Sequence, residues 1–111
     1  MTTARLAYEL SGDEDAPVLV MGNSLGTPMA MWDPQIDEMR AHFRVLRFDH
    51  RGHGGSDVPQ GPYTIKELSR DLIALLDQLG ISRVVYCGLS LGAMVGMWLA
   101  ASAPELSSLA G

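Results

Sequence analysis

The sequence predicts an α/β fold, a mostly parallel sheet with helices on both faces. Three observations carry that prediction. Short, wholly apolar runs such as Val18-Leu19-Val20-Met21 alternate with stretches of helical periodicity, the order found where parallel strands are buried on both faces. The runs are followed by loops rich in Gly and Pro. Most specific is Gly88-Leu89-Ser90-Leu91-Gly92, directly after Val84-Val85-Tyr86-Cys87 and directly before Ala93-Met94-Val95-Gly96-Met97-Trp98-Leu99-Ala100. A strand, a tight turn and a helix meet there.

Taken in order, Arg5 to Leu10 alternates and reads as an edge strand ending at the acidic turn Gly12-Asp13-Glu14-Asp15. Val18 to Met21 is a central parallel strand, and Gly22-Asn23-Ser24-Leu25-Gly26-Thr27-Pro28 is the loop that leaves it. Between Trp32 and His42 a helix is expected, with Ile36, Met39 and Phe43 on its apolar face and Asp33, Asp37, Glu38 and Arg40 in water. Arg44 to Phe48 is the next strand, followed by a Gly- and Pro-rich loop from Asp49 to Pro62. Thr64-Ile65-Lys66-Glu67 is a capping box that starts a second helix. Leu68, Leu72, Leu75, Leu76 and Leu79 form its buried face, and Gly80 ends it. The strand Arg83 to Cys87 leads to the turn, and the helix Leu91 to Ala101 leaves it. After Ala103-Pro104-Glu105, the segment Leu106-Ser107-Ser108-Leu109-Ala110-Gly111 makes a poor strand, two leucines among serines.

Composition is that of an ordinary globular domain, 47% hydrophobic and 19% charged with a net charge of −5. Such a balance gives nucleic-acid binding no electrostatic support. No basic start followed by an apolar stretch suggests a signal peptide, and no apolar run approaches a membrane span. A cytoplasmic setting without membrane partners is the expectation. The single cysteine, Cys87, excludes an intrachain disulfide and reads as a buried thiol. The seven methionines and two tryptophans fit core positions, chiefly Met94, Met97 and Trp98. No metal or cofactor is expected.

Ser90 carries the chemistry. At a strand-to-helix turn of this kind the serine stands out at the strand's carboxyl end in a strained backbone conformation, where Gly88 and Gly92 avoid collision. The same turn puts the Leu91 amide at a helix start, aimed where an acyl oxygen would become negative. Hydrolases with this elbow take their partners in the order Ser, acid, His. Only Glu105 is acidic after Ser90, and His42, His50 and His53 all precede it. At 111 residues the chain is also short, since folds carrying such an elbow usually need roughly 200 to 250.

Together with the elbow, Asp49-His50-Arg51-Gly52-His53-Gly54-Gly55-Ser56-Asp57 resembles the D-x-R-G-x-G-x-S segment of the α/β-hydrolase superfamily. There the segment is mainly structural, its Arg and Asp tying down backbone near the active site, so the resemblance implies structural roles for His50 and His53. His42 is expected at the surface or as a cap. Asn23-Ser24 stands where a His-Gly pair is usual. The set N-S-L-G-T, M-W-D-P-Q, D-x-R-G-H-G-x-S and G-L-S-L-G looks like the 3-oxoadipate enol-lactonases of aromatic-acid breakdown. It runs from about Leu6 to Glu105 but matches only the amino-terminal part of such an enzyme, without the cap region, the acid and the histidine. Position 93 is alanine where many relatives have a further glycine. The resemblance implies Ser90 as nucleophile and the amides of Leu25 and Leu91 as oxyanion hole. Ser24 reads as a loop hydroxyl capping local backbone.

Three functional readings follow. The first is the amino-terminal part of an enol-lactonase whose parent opens its lactone through an acyl-enzyme on Ser90. Another carboxylic-ester hydrolase, or a cofactor-free haloperoxidase on the same scaffold, is the second; a serine nucleophile disfavours dehalogenases and epoxide hydrolases. The third is a truncated, catalytically silent domain that self-associates or pairs with a complementing carboxyl-terminal fragment. With the neighbouring strand of such a fold missing, Val84 to Cys87 would be an exposed sheet edge, with Met94, Met97 and Trp98 an exposed patch, so a homodimer or larger assembly is expected.

Overall fold

The computed structural model describes residues 3–61, 63–103 and 107–109. Its elements are β1 (Tyr8–Ser11), β2 (Val18–Gly22), a short 3-10 turn (Met29–Trp32), α1 (Asp33–Arg40), β3 (Arg44–Phe48), α2 (Ile65–Gln78), β4 (Val84–Gly88), α3 (Leu91–Ser102) and β5 (Ser107–Leu109). The five strands form one sheet in the order β1-β3-β2-β4-β5. β1 runs antiparallel to β3, with Tyr8 opposite Phe48. Every other pairing is parallel, and Val20 of β2 lies between Leu46 and Tyr86.

Successive residues of a strand point to opposite faces, and the core divides accordingly. Val20, Leu46, Phe48 and Tyr86 pack with Leu68, Leu72, Leu75 and Leu76 of α2 and with Val95 and Leu99 of α3. On the opposite face Leu19, Met21 and Val45 pack with Ile36 of α1. The sheet is therefore covered on both sides, as the apolar runs predict. The capping box forms: Thr64 Oγ1 accepts from the Glu67 amide at 3.1 Å, and Glu67 Oε1 accepts from the Thr64 amide at 3.2 Å. Gly80, with φ +72°, follows the end of α2.

Four expectations need correction. Arg5 to Ala7 are outside β1, because the β3–α2 loop captures their backbone: Ser56 Oγ accepts from the Ala7 amide at 2.7 Å and Asp57 Oδ2 from the Arg5 amide at 2.9 Å. Ser107–Leu109 is a strand after all, pairing in parallel with Val84 to Tyr86. A ladder uses backbone groups, which serine supplies as well as valine does, so the expected bare edge at Val84 to Tyr86 is paired. Leu106, Ala110 and Gly111 lie outside the described residues. Met94 and Met97 are not core residues but 54% and 66% exposed, as the patch expectation had them, since α3 turns Gly92, Val95, Gly96 and Leu99 inward, whereas Trp98 is partly buried against the core. Cys87 is half-buried rather than enclosed. His42 is exposed, as expected.

Candidate active site

Ser90 joins β4 to α3 with φ 56° and ψ −113°, a positive φ found at no other non-glycine residue among those described. Such a conformation costs on the order of 1–3 kcal/mol and persists only where surrounding contacts impose it. Here they do. The Gly92 amide donates to the carbonyls of Asn23 at 2.9 Å and Leu89 at 3.0 Å, and the Leu89 amide donates to the Gly22 carbonyl at 3.2 Å. Backbone meets backbone so closely that a Cβ on Gly92 would strike the Gly22 peptide, and one on Gly88 would strike Gly92. Beneath the turn, buried Tyr86 donates its hydroxyl to the Gly92 carbonyl at 2.8 Å. Desolvation pushes that phenol well above its ordinary pKa, so it stays a donor.

The Ser90 carbonyl accepts the amide of Met94 at 3.1 Å and so opens α3. Leu91 is the first residue of that helix, so its amide has no carbonyl of its own helix to donate to. The Ser90 residue is exposed.

The loop after β2 lies beside the elbow because of Asn23, which is wholly buried. Its side-chain amide donates to the Phe48 carbonyl at 2.7 Å, its Oδ1 accepts from Trp32 Nε1 at 2.9 Å, and its carbonyl takes the Gly92 amide. Beyond it, Ser24 to Thr27 forms a turn closed by the Thr27 amide and hydroxyl on the Ser24 carbonyl, at 3.3 and 2.8 Å. Thr27, not Ser24, thus supplies the hydroxyl that closes this loop. Gly26 occupies the turn's third position with φ +78°, the type II arrangement. Leu25 is 71% exposed beside it.

The loop after β3 grips that turn. The Asp49 carboxylate accepts from the amides of Met29 at 2.6 Å and Gly55 at 3.1 Å, the backbone-tying role that the resemblance implies. Arg51 ties side chains instead: it is bidentate to buried Asp71 at 2.6 and 2.7 Å and reaches Glu67 at 3.3 Å. His50 is 1% exposed, edge-on to Phe48, with Nε2 3.3 Å from the Asn23 carbonyl. A carbonyl accepts, so Nε2 carries the proton, and Nδ1 has no partner. Burial above all lowers the His50 pKa to about 4. His53 places Nδ1 3.0 Å from the Arg51 carbonyl while Nε2 accepts from the Gly26 amide at 2.9 Å. Among the described residues no histidine nitrogen is bonded to the Ser90 hydroxyl.

The residues that sequence reasoning missed are Asn23 and Tyr86 as supports of the elbow, and Gly22 as its contact surface. Glycine followed by a polar residue at the end of a buried apolar run was the available signal. No group of three or more His, Cys, Asp or Glu side chains able to hold a metal ion exists among the described residues.

Known proteins resemble this chain in sequence and fold. The chain is 46% identical over 100 residues to 3-oxoadipate enol-lactonase 2 of Acinetobacter baylyi, covering 90% of this chain and 38% of that protein. It is 40% identical over 103 residues to a putative carbamate hydrolase RutD of Stutzerimonas stutzeri, again with 38% of that protein covered. The crystal structure of the enol-lactonase from Burkholderia xenovorans superposes with a TM-score of 0.92 at 45% identity, over 96% of this chain and 42% of that one. The chain thus spans about two fifths of the length of these relatives. A profile of the alpha/beta hydrolase fold matches residues 17–110, and the chain belongs to that family.

Proposed function

We propose that this chain supplies the nucleophile and oxyanion hole of a serine hydrolase acting on a carboxylic ester or lactone, with 3-oxoadipate enol-lactone as the substrate of the complete enzyme. The observation that carries the reading is the backbone of Ser90, strained at φ 56° on an exposed strand-to-helix turn. In this scheme Ser90 Oγ attacks the lactone carbonyl carbon, and the oxygen that becomes negative is met by the amides of Leu25 and Leu91. Collapse breaks the ring C–O bond and leaves an acyl-enzyme, which water hydrolyses. The base that takes the serine proton comes from outside residues 1–111. His53 has both nitrogens engaged, and His50 lies buried with Nε2 turned to Asn23.

The choice of lactone rests on the 46% identical enol-lactonase. Carbamate hydrolysis is the second reading, favoured by the 40% identity to the putative carbamate hydrolase. The test reconstitutes an enzyme by adding the remaining segment of the Acinetobacter baylyi relative to this chain. We expect a fluorophosphonate to label Ser90 only after reconstitution, and the enol-lactone to turn over faster than a carbamate, with both signals lost in Ser90→Ala. Labelling elsewhere than Ser90 in a folded complex overturns the serine-hydrolase reading, and faster carbamate turnover overturns the choice of substrate.

A further inference from the structure

His53 joins the loop after β3 to the Ser24–Thr27 turn beside the elbow, and both of its ring nitrogens are engaged. Its Nδ1 faces a carbonyl, that of Arg51, and its Nε2 faces an N–H, that of Gly26. Only one protonation form satisfies both: a neutral ring with the proton on Nδ1 and the lone pair on Nε2. The Gly26 amide belongs to the central peptide of the Ser24–Thr27 turn. Gly26 has φ +78°, and a Cβ there would meet no atom within 4 Å, so the space beside its Cα is open. Glycine itself is nearly indifferent to the sign of φ. The bond to His53 holds the Gly26 amide in this orientation. On the far side the Asp49 carboxylate holds the Met29 amide, and the His53 end is in turn fixed through Arg51, clamped to Asp71 on α2.

We propose that His53 is a positioning residue: its Nε2 pins the peptide after Leu25, the Thr27-to-Ser24 closure pins the peptide before it, and the Leu25 amide keeps one direction toward Ser90. The pinning stands on geometry alone; its catalytic consequence rests on the oxyanion-hole reading above. Any side chain that offers an acceptor at the same reach replaces the imidazole in part, and one that offers none releases the turn.

The test begins with the 111-residue chain labelled with nitrogen-15. Long-range spectra of the His53 ring should show the proton on Nδ1 and the lone pair on Nε2. His53→Ala should speed hydrogen exchange at the Gly26 amide about tenfold, the loss of one hydrogen bond, while the amides of β2 and β4 keep their protection. His53→Gln, which retains an acceptor, should return most of it. In the reconstituted enzyme His53→Ala should lower kcat on an aryl ester by about tenfold to a hundredfold with KM unchanged, and His53→Gln should recover the rate. Unchanged exchange at Gly26, or a loosened Gly26 with undiminished kcat, overturns the proposal. If the unsubstituted complex fails to acylate Ser90, the hydrolase reading falls and Gly26 exchange alone decides whether His53 is the strut.

Discussion

Burial makes His50 a weak base, and we expect the fold to lose stability in mild acid. Its folded pKa lies near 4 against an ordinary 6.5. Above pH 6.5 the ring is neutral in both folded and unfolded chains and contributes no difference. As pH falls from 6.5 toward 4 the unfolded chain takes up the proton first, so stability declines through that window. The loss levels off below it at on the order of 3 kcal/mol. His50→Gln keeps a donor for the Asn23 carbonyl but cannot titrate. We expect its urea midpoint to fall less steeply between pH 6.5 and 4 than that of the unsubstituted chain; equal slopes would place the acid sensitivity elsewhere.

Between elements, α3 meets the end of β2 backbone to backbone, and two glycines separate the cost of a clash from the cost of backbone conformation. Gly92→Ala puts a methyl group into the Gly22 backbone and should cost about 3 kcal/mol or more, because neither partner is a side chain that can move aside. Gly26→Ala meets open space but retains φ +78°, so the cost should be about 1 kcal/mol, from backbone conformation alone. Thermal unfolding of both variants checks the order, and a larger loss in Gly26→Ala would reverse the argument. The same contrast explains what the sequence could disclose. The strands from Val18, Arg44 and Val84, the Thr64 capping box and the Ser90 elbow are written in short runs of neighbouring residues, where periodicity and turn chemistry act. β5 was hidden because its ladder is made of backbone groups that Ser107 and Ser108 supply without any apolar signal. The starting point of β1 was hidden because Ser56 and Asp57, far along the chain, compete for its first amides. Asn23 as a hub and the bond from Gly26 to His53 likewise join residues distant in sequence. Side-chain type alone cannot announce such pairs.

At the scale of the whole molecule, the described surface carries Leu25, Leu89, Met94 and Met97 exposed, and the chain covers 38% of its enol-lactonase relative. Because β5 pairs with the outer side of β4, association through a bare edge at Val84 to Tyr86 is not expected. The exposed face of α3, with Met94 and Met97, is a surface that gains from cover. We expect light scattering at micromolar concentration to show a dimer or larger assembly of the isolated chain, dispersed by Met94→Glu with Met97→Glu; a monomer without the substitutions would show that this face is content in water. The strand order has a consequence in time. β2 is flanked by β3 and β4, but β4 begins about 60 residues after β2 ends. At synthesis rates of about 5–20 residues per second that separation is roughly 3–12 s. β3 is made within that interval, and from then until β4 follows, the nascent sheet offers one unclaimed side of its central strand, Leu19-Val20-Met21, to any other chain with a strand to pair.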